Sequence, residues 1–165
     1  MNLIKNKIWS LFKKDDNLDR IEKKIETQPV TEEFFKKRHY DIIENKFEGN
    51  KDDYFHIAYG YWMGCKGVKY DTTLAVWYFK IAAGMGCLES MRLLSHALYI
   101  GSGCKSDIKE SCHWAKVIIL LGDEMRRNET ERMFLEPYPM YTEISDEEMV
   151  IIDQKANKTA NMIKN

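Results

Sequence analysis

Four histidines, His39, His56, His96 and His113, and four cysteines, Cys65, Cys87, Cys104 and Cys112, carry the side chains most able to bind a metal, act as a base or attack a substrate. Their spacing assembles none of these. A tetrahedral zinc site needs four ligands at about 2.0 to 2.3 Å; Cys112 and His113 are adjacent and Cys104 lies eight residues earlier, but a fourth ligand is missing. No H-x-x-x-H, H-E-x-x-H, nucleophile elbow or phosphate loop is present. Gly101-Ser102-Gly103 looks like a phosphate cradle in isolation, yet short glycine patterns standing alone are weak evidence, and this one sits where a turn is needed. The sequence therefore predicts no catalytic residue, no metal and no cofactor.

What the sequence does contain is a degenerate repeat of 36 residues. The run from Ala58 to Gly86 is answered by the run from Leu94 to Gly122, so that Gly67 falls on Gly103, Lys69 on Lys105, Asp71 on Asp107, Lys80 on Lys116 and Gly86 on Gly122. Periods of this length belong to stacked helical hairpins, which cannot bury their apolar faces alone. Within each copy the turn and capping residues fall in order. Helix A of the first copy is expected over 51–63, closed by Gly64, and Asp71 is placed to cap helix B from Thr72 to Ala83, which stops at Gly84-Met85-Gly86. The second copy gives helix A over 88–100, the Gly101-Ser102-Gly103 turn, an Asp107 cap and helix B to Leu121.

Outside the two copies the pattern is also helical. Residues 2–13 and 17–26 read as two short amphipathic helices, and a helix capped by Thr31 carries Phe35, His39, Ile42, Ile43 and Phe47 at helical spacing. If residue 50 is aligned with Gly86, residues 34–48 become the second half of a preceding repeat. Residues 123–134 read as a charged helix. Pro137 and Pro139 then force an extended connection, and Ser145-Asp146-Glu147-Glu148 is a capping box opening a last helix towards Ile163.

These residues resemble the Sel1-like repeat family, relatives of the tetratricopeptide repeat. The matching text is Gly67-Val68, Asp71, Ala75, Tyr78-Phe79, Ala82-Ala83 and Gly86, followed in the second copy by Gly101-x-Gly103, Asp107, Trp114 and Gly122. The resemblance implies an all-α fold, a short helical-repeat solenoid with extra capping helices at both ends. The division expected is 1–30 for the N-terminal helices, 31–135 for the repeat array and 136–165 for linker and capping helix. The glycines are expected to supply positive φ in the A-to-B turns and at the ends of the B helices. Ser111, Ile118 and Ile119 depart from the alanines of the pattern, so the second hairpin is expected to be spaced differently from its successor. The cysteine-rich secreted branch of the family pairs cysteines at positions equivalent to Ala83 and Met91; their absence here, with no C-x-x-C, implies reduced thiols and a cytoplasmic protein.

With 25 basic and 26 acidic residues the chain has no global field for nucleic acid, and no nucleic-acid partner is expected. The distribution is uneven: residues 1–14 carry four lysines and no acid, and residues 123–165 carry ten acids against six bases. The basic head, with Trp9 and Phe12 among its lysines, has two readings, an N-terminal cap on the array or contact with an anionic membrane surface.

The predicted function is protein binding. Tyr54, Ala58 and Trp62, matched by Ser90, Leu94 and Leu98, take the core positions of the A helices, which leaves a second stripe of Phe55, Tyr59 and Met63 beside Met91, Ser95 and Tyr99. In the related repeats helix A lines the concave face, so the stripe, flanked by His56, Arg92 and His96, is the candidate partner-binding surface. The alternative is that the stripe packs on a neighbouring repeat. Trp77 and Ile81 are expected to receive the N-terminal helices. Small proteins resembling this family are often antidotes, so the partner expected is a cognate toxin domain, bound by an immunity protein; a scaffold or adaptor in a signalling or envelope-assembly complex is the other expectation.

Overall fold

The computed structural model describes residues 49–65, 68–130 and 143–165. Among them lie six helices and no strand: α1 (Lys51–Met63), α2 (Thr72–Gly84), α3 (Leu88–Ile100), α4 (Ile108–Leu121), α5 (Glu124–Thr130) and α6 (Asp146–Lys164). The helices expected over 2–13, 17–26 and 31–48, Gly67 of the first turn and the connection through Pro137 and Pro139 fall outside the described residues. The chain divides into two compact units, Met1–Met85 and Gly86–Asn165.

In the first unit α1 and α2 form one hairpin. Asn50 starts α1 by accepting the amides of Asp52 and Asp53, and the Asp53 carboxylate accepts the Asn50 amide in return, at 2.9 to 3.1 Å. Both aspartates also stand at the positive end of the helix dipole. Gly64 ends the helix at φ 61°, a left-handed conformation, and its amide bonds to the Gly60 carbonyl. The chain then returns so that the Asp71 amide meets the Tyr61 carbonyl at 3.0 Å, and the Asp71 carboxylate accepts Leu74 N–H at 3.1 Å to open α2. Between the helices lies an aromatic core. Tyr61 stacks on Tyr78 at 6.1 Å and 3°, Trp77 meets Tyr78 edge-on at 4.9 Å, and Ile57, Leu74 and Phe79 are fully enclosed around them. Burial with Tyr61 and Tyr54 alongside pushes the Tyr78 hydroxyl well above the usual tyrosine range. Trp77 is buried and Ile81 half-buried; the N-terminal residues expected to cover them lie outside the described part.

The second unit repeats the hairpin with α3 and α4 and adds α5 and α6 against α4. Gly101 ends α3 at φ 71°, the Asp107 amide meets the Leu98 carbonyl at 2.9 Å, and the Asp107 carboxylate caps α4 through Glu110 N–H at 2.9 Å. Ser145 and Glu148 form the expected capping box of α6. That helix buries Ile152, Ala156 and Ala160, one residue per turn along a single stripe, and Ile152 joins Cys112 and Ile144 in an apolar cluster with Ile108 and Met149. Ion pairs flank the α4–α6 seam: Lys109 with Glu148 at 2.5 Å, Lys116 with Asp153 at 2.7 Å, and Lys155 with Glu110.

The two hairpins do not share one period. From the turn onward the offset is 36, as Asp71 and Asp107 show, but the A helices are offset by 37: α1 begins at Lys51 and α3 at Leu88, and the glycines that close them are Gly64 and Gly101. The amide-to-carbonyl bond from Cys65 to Gly60 is answered by the bond from Ser102 to Ala97. The first turn is thus one residue longer than the second. A second departure concerns Gly122, whose φ is −73° rather than positive. Glycine is required there by crowding: a Cβ would stand 2.8 Å from the Ile118 carbonyl oxygen. Gly86, at φ 89°, does take the expected left-handed conformation.

Candidate functional site

In the first unit, the expected surface residues of α1 form a continuous aromatic shelf. The Phe55 ring lies 5.5 Å from His56, 5.9 Å from Tyr59 and 6.4 Å from Phe79 of α2. Phe79 is fully enclosed, so Phe55 is anchored from below while one side of it stays open to water. His56 is exposed, Tyr59 half-buried, and Met63 55% exposed. Trp62, assigned to the core from the sequence, is half-buried instead and rests edge-on against Phe79 at 5.9 Å. It belongs to the shelf.

The one-residue offset reassigns the second unit. With 37 as the interval, Tyr54 corresponds to Met91, Ile57 to Leu94, Ala58 to Ser95 and Tyr61 to Leu98, and all eight are buried. Met91 is fully enclosed and therefore fills the core, not the outward stripe, and Ser95 is enclosed with it. The counterparts of Phe55, Tyr59, Trp62 and Met63 become Arg92, His96, Tyr99 and Ile100, of which the first three are half-buried and Ile100 is 52% exposed. Ile100 was missed because a fixed 36-residue comparison sets it beside Gly64. Counting from each helix's own closing glycine would have found it.

Among the described residues no three of His, Cys, Asp and Glu come together as a metal group. All four cysteines are free thiols, Cys87 and Cys112 buried and Cys65 and Cys104 partly so. Burial pushes the Cys112 thiol up to about 11, which suppresses the thiolate a nucleophile would need. His113 is enclosed between α4 and α6, and burial lowers its pKa to about 4. No described helix is long and apolar enough to cross a membrane.

No family model matches this sequence, and no curated protein matches it. Among solved structures the chain is similar to the crystal structure of c5321, a protective antigen present in uropathogenic Escherichia coli strains displaying an SLR fold, with a TM-score of 0.57 and 20% sequence identity. The match covers 81% of this chain and 26% of that one, so this chain spans about a quarter of the length of the protein it matches. Two successive hairpins of helix, glycine-closed turn, aspartate cap and helix, together with that likeness, give this protein an all-α Sel1-like repeat fold.

Proposed function

We propose that this protein is a non-catalytic protein-binding module, and that its partner is a cognate bacterial toxin domain which it neutralises as an immunity protein. The observation that carries the binding part is the shelf of Phe55, Tyr59, Trp62 and Met63 beside exposed His56 on one helix. Aromatic, methionine and arginine side chains are enriched in protein interfaces, and among them tyrosine and tryptophan bring large contact area for little conformational entropy. Exposed acids, Glu124, Glu143, Asp146 and Glu147, would speed capture of a basic toxin surface by electrostatic attraction.

Co-expression with a toxin domain encoded beside this protein tests the assignment. A one-to-one complex and protection of the cell are expected, and Tyr59→Ala and Tyr99→Ala should each weaken binding by about 2 kcal/mol with helicity unchanged. Absence of both protection and co-purification with every neighbouring toxin candidate would exclude the immunity role. The scaffold or adaptor role is favoured by a separate observation. Val150 and Ile151 on α6 are 55% and 64% exposed, apolar side chains that a further partner could contact.

A further inference from the structure

His113 is a polar side chain on which α6 closes. It is 2% exposed; its Nε2 lies 3.4 Å from the Thr159 hydroxyl, its ring stands edge-on to Trp114 at 5.2 Å, and its Nδ1 has no hydrogen-bond partner. A neutral imidazole can leave one nitrogen bare at modest cost. An imidazolium carries N–H on both nitrogens, and here the second would be a buried cationic donor with nothing to accept it.

The surrounding charges do not relieve this. On its own helix Glu110 favours protonation, but that carboxylate is held by Lys155 of α6, whose positive charge opposes it. Lys116 and Asp153 bind each other, as do Lys109 and Glu148. The other helices packed on α4 carry Glu89, Arg92 and His96 on α3 and Glu124, Arg126 and Arg127 on α5, with Glu89 and Arg126 paired at 2.7 Å. Against the charge stands a seam built from one small apolar cluster, the alanines of α6 and water-accessible ion pairs, each of which contributes little.

We infer that the α4–α6 seam is an acid-released latch: protonation of His113 undocks α6 and uncovers the face of α4 around Cys112. The inference is independent of which partner the aromatic shelf binds. An undocked His113 takes its proton at about 6.5, the docked one only near 4. Docking is therefore at full strength above 6.5 and weakens by about tenfold for each pH unit below it, until the docked ring also titrates. Cys112, fully enclosed beneath Ile152 and Met149, is a built-in reporter of the open state.

The test uses the full chain and 4,4′-dithiodipyridine, a disulfide that reacts with thiols in acid, with labelling read at each cysteine by peptide mass spectrometry. Normalised to partly exposed Cys104, Cys112 labelling should rise at least tenfold between pH 7 and pH 4.5, and His113→Gln should remove the rise. An equal rise in the variant, or none in the natural protein, would overturn the latch. Should His113→Gln not fold, NMR titration of the natural protein decides: the His113 ring must titrate together with loss of α6 amide protection, and a ring that titrates while α6 stays protected refutes the inference.

Discussion

Ser95 and Ser111 exchange hydroxyl hydrogen bonds across the second hairpin: Ser95 Oγ donates to the Ser111 carbonyl at 2.9 Å and Ser111 Oγ donates to the Ser95 carbonyl at 2.8 Å. Both residues are fully buried. With each proton committed to a carbonyl, the 3.1 Å between the two oxygens is a contact of approach. The equivalent places in the first hairpin hold Ala58 and Ala75, also fully buried. Serine therefore occupies an alanine-sized site in the second hairpin without leaving a buried hydroxyl unsatisfied.

A double-mutant cycle tests this reciprocity. Ser95→Ala and Ser111→Ala should each lower stability by about 1 kcal/mol, as expected for a buried hydrogen bond lost. The double variant should lose less than the sum, because it restores the alanine pair used by the first hairpin. Additive losses in chemical denaturation would mean that the two serines act separately.

Met91 and Tyr59 separate stability from binding. Met91→Ala removes a fully enclosed side chain and should cost about 2 to 5 kcal/mol of folding stability. Tyr59→Ala, at a half-buried position, should leave the melting midpoint much closer to the natural value. Thermal melts of the two variants check the order, and the reverse order would restore the 36-residue assignment of the A helices.

Gly86→Val should be strongly destabilising. Its φ of 89° costs an L side chain about 1 to 3 kcal/mol, and a Cβ there would stand 2.8 Å from Ile163 Cγ2 near the end of α6. The same measurement on Gly122→Ala, whose φ is ordinary, isolates crowding from backbone strain. Both midpoints should fall, Gly86→Val further.

Acid weakens the start of α6 in a lower window than the one set by His113. Hydrogen bonds from Lys109 and from the Ser145 amide hold the Glu148 carboxyl below its ordinary value of 4.5. A carboxyl depressed in the folded protein contributes stability above 4.5 that is lost as pH falls through the folded value. Glu148→Gln should flatten the stability profile below pH 4.5 and leave the region near pH 6 unchanged. A change confined to the region near pH 6 would contradict this assignment.

The helices were legible because their ends are written in side chains that act locally. Gly64, Asp71, Gly101, Asp107 and Ser145 each satisfy or release backbone groups within a few residues, and α1 and α3 have the limits that spacing predicts. The candidate surface was less legible. Whether a residue on an amphipathic helix faces inward depends on rotation about the helix axis: Met91 lies in the core because the interval between the A helices is 37, and Trp62 leaves it because the buried stripe of α1 runs through Tyr54, Ile57, Ala58 and Tyr61. Gly122 was misread for a different reason. Sequence shows that glycine is present but not whether a φ value or a crowded carbonyl requires it.

The longer first turn shows where this architecture can change length. A residue added or removed inside α1 would rotate every later side chain by about 100° and turn the Phe55 shelf and the Tyr61 stack away from their neighbours. The same change between Gly64 and Asp71 is absorbed before the next helix begins, since the bond from the aspartate amide to the preceding helix forms at 3.0 Å with the long turn and at 2.9 Å with the short one. The turn thus works as an expansion joint. Insertions there can change the length of the turn while both hairpin cores keep their packing.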